Sequence, residues 1–120
     1  MYKSVESNAS IIRINRGDSF QKPLYINCGT FLNPVRYQLQ EGDKVYFGVM
    51  EPNHYWEQSI LRQRYDKDSD KTEDGDIIIK ISPEETEYLL PGTYYYQVKL
   101  LRSEDLEVKT VVPTTLFIIL

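Results

Sequence analysis

The sequence predicts an all-β fold, a small antiparallel β-sandwich of about seven to eight strands with one short helical turn near residues 83–90. The first observation behind this is periodicity: short runs rich in Ile, Val, Tyr and Phe alternate apolar with polar residues, and no long stretch repeats apolar positions at helical spacing. The second is punctuation, because RGDSF (16–20), EGDKVYF (41–47) and DGDIIIK (74–80) each set Gly-Asp directly before a strand. Glycine supplies a positive φ without steric cost, and the aspartate can hydrogen-bond the turn backbone. The third is TYYYQVKLL, three tyrosines in a row after a Pro-Gly turn. Strand alternation puts Tyr94, Tyr96, Val98 and Leu100 on one side and Tyr95, Gln97, Lys99 and Leu101 on the other, a core-like face and an amphipathic one.

Taken in order, strands are expected at 10–15, 19–27, 35–40, 44–50, 57–65, 76–82, 93–101 and from about 107 to 120. Pro23 cannot donate to a ladder, which marks its strand as an edge or a bulge, and Pro113 is expected to split the last run. In SPEETEYLLPG (82–92), Ser82 is a cap, Pro83 fits the first helical position, Glu85 completes a capping box and Pro91-Gly92 is the stop. One or two helical turns there would carry the chain between sheets. The strand 93–101 is expected at the centre of the sandwich.

A length of 120 residues implies one domain, 1–120, with a single core. The net charge of −4, with bases scattered among acids, provides no basic stripe for phosphates, so nucleic acid is not expected as a ligand. The single cysteine, Cys28, excludes an intrachain disulfide and suits a reducing cytosol. The N-terminus lacks an apolar signal core and no segment reaches the ~20 apolar residues of a membrane span, so neither cleaved secretion nor membrane anchoring is expected.

Catalysis has little to use. His54 is the only histidine, it stands in a loop-like context, and Cys28 lies in the turn-like NCGT, so the chain reads as a non-enzyme with no cofactor. The RGD at 16–18 reads as one of three Gly-Asp turns preceded by an arginine rather than as an adhesion loop. Asp66, Asp68 and Asp70 match the first oxygen positions of a calcium loop, but Lys71 stands at the turn glycine and Ile77 at the bidentate glutamate. They are weak metal candidates, and a solvated connection is the plainer reading. Tyr55 and Trp56 at a loop tip could stack on sugar rings or fill a pocket on a protein partner; alternatively Trp56 turns inward and plugs the sandwich. The closing run Leu116, Phe117, Ile118, Ile119 and Leu120 is apolar on both faces, so the second face is covered either by its own chain, such as 83–90, or by a neighbouring subunit. Together with Tyr55, Trp56, Tyr95 and Leu101, these residues are the candidate partner interface.

The Gly17-Asp18, Gly42-Asp43 and Gly75 turns, with Thr86, Leu90, Gly92, Tyr94, Tyr96 and Thr110, form a pattern along nearly the whole chain. It resembles small β-sandwich modules in virion proteins of tailed phages and prophages of Gram-positive bacteria, and is similar to the N-terminal domain of the phage baseplate upper protein. The resemblance implies a non-enzymatic, immunoglobulin-like module made in the host bacterial cytoplasm and placed on the virion. Its expected partners are other virion proteins and copies of itself. Because the sequence stops at Leu120 where the larger protein continues, the expected role is capsid decoration, head-fibre base, or tail or baseplate adaptor. The alternative is a small carbohydrate-binding module using Tyr55 and Trp56.

Overall fold

The structure, a computed structural model, describes residues 4–7, 10–29 and 32–120, with the side chains of 4–7, 28, 29 and 34 left aside. Its strands are β1 (Ser4–Ser7), β2 (Ile12–Ile14), β3 (Phe20–Leu24), β4 (Ile26–Gly29), β5 (Pro34–Arg36), β6 (Lys44–Met50), β7 (Leu61–Tyr65), β8 (Ile77–Ile81), β9 (Gly92–Leu101) and β10 (Val108–Ile119). A 3-10 turn covers Trp56–Gln58 and a short helix, α1, covers Pro83–Glu87. The domain is mostly β and broadly sandwich-like. A five-stranded sheet runs β2-β10-β9-β6-β7, a two-stranded sheet pairs β3 with β8, and a three-stranded sheet runs β1-β4-β5. Only β2 and β10 pair in parallel among the described ladders. β9 is the middle strand of the larger sheet, where its apolar alternation predicts it.

The core lies between the five-stranded sheet and the β3–β8 pair. Val45, Phe47 and Val49 of β6, Tyr96, Val98 and Leu100 of β9, and Phe117 and Ile119 of β10 join Ile77, Ile79 and Ile81 of β8 in one buried cluster. The Phe47 and Tyr96 rings lie 5.6 Å apart and tilted, and Phe117 meets Tyr96 nearly edge-on at 6.4 Å, the offset geometry that aromatic quadrupoles favour. Tyr94 packs against this cluster, and its hydroxyl donates to the Leu90 carbonyl at 2.6 Å. The open sides of the sandwich are bridged by side chains. At one, Gln63 Nε2 donates to the Lys80 carbonyl at 2.6 Å and the Tyr65 hydroxyl accepts from the Lys80 N–H at 3.0 Å. At the other, Tyr96 donates to the Ser10 carbonyl at 2.5 Å.

All three Gly-Asp turns form with glycine in the left-handed region, Gly17 at φ 87°, Gly42 at 88° and Gly75 at 88°. Asp43 does the most with its position. It is buried, and its carboxylate accepts from the Gln40 N–H at 2.9 Å, the Ser103 N–H at 2.8 Å, the Ser103 hydroxyl and the Tyr37 hydroxyl. Burial pushes its pKa up, yet these donors outweigh burial and hold it below the ordinary 3.8. The capping box also forms: Ser82 accepts from the Glu85 N–H at 3.1 Å and Glu85 accepts from the Ser82 N–H at 2.9 Å. Helix α1 carries the chain from β8 in the small sheet to β9 in the large one. Its buried Thr86 accepts from the Gly17 N–H at 2.9 Å and donates toward the Asp18 carbonyl at 3.1 Å, which clamps the RGD turn in place.

Several expectations need correction. The run 19–27 is two strands in different sheets, broken at Tyr25, and an unforeseen β1 joins the second of them. The run 57–65 starts its strand only at Leu61, because Ser59 folds back through its N–H and hydroxyl onto the Trp56 carbonyl. Pro113 does not split β10; the strand continues and absorbs the proline in register shifts between Thr110 and Thr115. Cys28 is in β4 rather than a turn, with its side chain outside the described residues. Phe117 and Ile119 are core residues and not interface residues, because pairing with Tyr94 and Gly92 turns them inward. Their inward face is covered within the chain: Leu89 of the 83–90 segment belongs to the same buried cluster, and that segment is tied by hydrogen bonds to Arg16, Gly17, Asp18, Gln63 and Tyr94.

Candidate functional site

Alternation sends Lys44, Tyr46, Gly48 and Met50 of β6 to the face opposite the core, and register sets them beside the outward residues of β7 and β9. Tyr46 lies opposite Arg64 on one side and Lys99 on the other, Gly48 opposite Arg62 and Gln97, and Met50 opposite Tyr95. Leu116 lies opposite Tyr95, and Ile118 opposite Thr93 and Arg13. Of the candidate interface residues, Tyr95, Leu101, Leu116 and Ile118 are therefore half-buried on this outer face, and Leu120 is exposed at the end of β10.

Trp56 neither plugs the sandwich nor projects from it. It lies on the outer face over Gly48, where an added Cβ would stand 2.6 Å from the indole and 2.8 Å from Ser59 Oγ. Glycine is needed there for close approach. Lys99 Nζ sits 5.3 Å from the centre of the indole ring, a cation–π contact, and also donates to Thr110 Oγ1 at 3.1 Å. The loop before the 3-10 turn is fixed by Asn53 at φ 65° and by the Tyr55 N–H donating to Gln58 Oε1 at 2.8 Å. Tyr55 is left 75 % exposed. Between this loop and the sheet is a groove of about 310 Å³ lined by Met50, Asn53, Tyr55, Trp56, Tyr95 and Gln97, with Thr114 held by Gln97 Nε2 at 2.8 Å. The structure thus brings together Tyr55, Trp56 and Tyr95, interface candidates from separate segments of the sequence.

His54 also borders the groove, exposed, with Nδ1 3.0 Å from the Pro52 carbonyl. The calcium candidates do not converge. Asp66 accepts from the Asp68 N–H at 2.9 Å and stands 3.9 Å from Lys44, while Asp70 pairs with Lys80, whose hydrogen bond holds the Asp70 pKa below its ordinary value. Among the described residues no group of three or more His, Cys, Asp or Glu could hold a metal ion, and no helix is long and apolar enough to cross a membrane.

Sequence reading missed the charge of this face. None of the five strands of the large sheet contains an aspartate or glutamate, although the chain has 18. Outward positions hold Arg13, Lys44, Arg62, Arg64 and Lys99. The signal is present in the sequence, but it emerges only when the strands are grouped by sheet, since the cations are scattered from residue 13 to 99.

No family model and no curated protein matches the chain. Among solved structures it is similar to AggA, the major subunit of aggregative adherence fimbriae type I from Escherichia coli. That likeness is 8 % identical, covers 99 % of this chain and 95 % of that one, and has a TM-score of 0.38. A likeness at that score carries no weight for fold or role.

Proposed function

We propose that this chain is a non-enzymatic structural module of a tailed-phage virion, an immunoglobulin-like sandwich serving as capsid decoration, head-fibre base, or tail or baseplate adaptor. It acts through protein contacts made by the outer face of its large sheet. The observation that carries the contact reading is the convergence of Tyr55, Trp56 and Tyr95 on one groove. Aromatic rings beside long basic stems are the composition enriched at protein interfaces. The residues behind the phage resemblance support it further: Gly17, Gly42 and Gly75 make left-handed turns, Thr86 clamps the first of them, and Tyr96 is in the core. The test is immunodetection of the chain in gradient-purified particles from an induced host. Co-sedimentation with heads or tails is expected, and recovery solely in the particle-free fraction would refute the reading.

A second reading, carbohydrate binding, draws on the same groove. Ring faces of Tyr55 and Trp56 next to the amide of Gln97 and the hydroxyl of Thr114 combine stacking surface with hydrogen-bonding groups, as sugar recognition requires. The volume, about 310 Å³, is at the small end of ligand pockets. On a glycan array, binding by the parent protein that is lost in Tyr55→Ala would favour this reading, whereas no retention on any glycan would remove it.

A further inference from the structure

The outer face of the large sheet is basic in a chain that is acidic overall. Arg13, Arg62 and Arg64 are exposed there, Lys44 and Lys99 half-buried. Of the five, only Lys44 has an ion pair among the described residues, to Asp66 at 3.9 Å. Arg62 donates to the backbone carbonyl of Glu57, which leaves its charge uncompensated. Glu51 and Glu57 stand on the loop that rims the face, and Glu85 meets Gln63 of β7, whose side chain points to the opposite face. Setting those five cations aside from the chain's 14 leaves nine against 18 acids, so the remaining surface is strongly negative.

One part of that remaining surface matches the basic face in kind. Helix α1 exposes Glu84 and Glu87, and the residues just after it expose Tyr88, 88 % accessible, and Leu90, 69 % accessible. Arg16 also stands at this end, and its Nε donates to the Glu87 carbonyl at 3.0 Å. An acidic patch carrying an exposed tyrosine and leucine thus complements a basic sheet carrying Tyr46, Tyr95 and Trp56. We propose that the basic outer face of the large sheet docks onto the acidic α1 end of a second copy of this chain. The two patches are different parts of one surface, so the contact is heterologous and propagates into a ring or an open row of copies. A polyanion such as nucleic acid is the lesser fit, since a net charge of −4 repels it over the rest of the molecule.

This contact rests on the assembly reading above and names one of its partners. It is tested by analytical ultracentrifugation of the purified chain across concentration at ~20 mM and ~500 mM NaCl, where the screening length falls several-fold. Concentration-dependent association at low salt that disappears at high salt is expected. Reversing the face with Arg62→Glu and Arg64→Glu, or the helix with Glu84→Lys and Glu87→Lys, should weaken self-association by at least ~10-fold. Each double variant should be monomeric alone, and their mixture should associate again with the two variants alternating, an outcome that a general loss of folding cannot produce. Circular dichroism melts of each variant check the fold, and the salt series on the parent protein needs no variant. A parent protein monomeric at every concentration and salt overturns the proposal, as does association that survives both reversals. A monomer that binds a twenty-nucleotide oligothymidylate at low salt assigns the face to a polyanion and also overturns it. A chain that co-sediments with particles yet never self-associates sinks this contact alone and leaves the virion reading standing.

Discussion

The two faces of the large sheet come from the same strands and alternate residues, yet they have opposite characters. On β9 the inward residues Tyr96, Val98 and Leu100 are buried, while their neighbours Tyr95, Gln97, Lys99 and Leu101 stay half-exposed. On β6 the inward set is Val45, Phe47 and Val49, and the outward set is Lys44, Tyr46, Gly48 and Met50. The inner face is constrained by packing, because an interior at crystal-like density tolerates little change of volume. The outer face is constrained at only a few points, chiefly Gly48 under Trp56. Such a division leaves the outer residues available for recognition without loss of fold.

The sharpest way to break this comparison is at Phe117, which is fully buried and in ring contact with Phe47 and Tyr96. Phe117→Ala should destabilise the domain by about 3–5 kcal/mol in a denaturant melt. A loss under about 1 kcal/mol would mean that the face assignment of β10 is inverted.

Asp43, at the entry to β6, tests a boundary between the faces. Asp43→Ala leaves the Gln40 and Ser103 N–H groups without their acceptor and should cost about 1–3 kcal/mol. The pH dependence has a definite sign. A folded pKa below the unfolded value means that the contribution is present in full above about pH 4 and is lost as pH falls through the lower folded value. The parent protein should therefore lose stability relative to Asp43→Asn on acidification below pH 4, and parallel acid limbs for the two would refute this.

Gly48→Val is the corresponding probe of the outer face. Its side chain would have to displace the indole and Ser59, with an expected cost of about 1–3 kcal/mol and a shift in tryptophan fluorescence. Unchanged emission from a stable variant would place Trp56 elsewhere. The smallest stability effect is expected at Tyr95. Tyr95→Ala should move the melt by no more than about 0.5 kcal/mol while weakening assembly by about 1–2 kcal/mol. Unfolding of this variant would instead put Tyr95 among the residues that hold the sheet together.

Much of the fold was written in local chemistry. Each of the three Gly-Asp pairs in this chain makes its turn with local chemistry, so Gly17, Gly42 and Gly75 could be read without knowledge of their neighbours. The Ser82 capping box closes within four residues and was equally legible. Period-two alternation likewise named Tyr96 and Val98 as inward residues. Non-local pairing was another matter. The break at Tyr25 depends on β3 joining β8 while β4 joins β1 and β5, partners distant in sequence. The fate of Pro113 depended on β9 tolerating a bulge opposite it. Tertiary structure alone decided the candidate site, because it set Tyr55 and Trp56 beside Tyr95, some 40 residues away, and gathered five cations from four strands onto one sheet face. The physical reason is that a side chain's direction follows from its own backbone, whereas its neighbours across a sheet follow from strand order and register, which long-range packing selects.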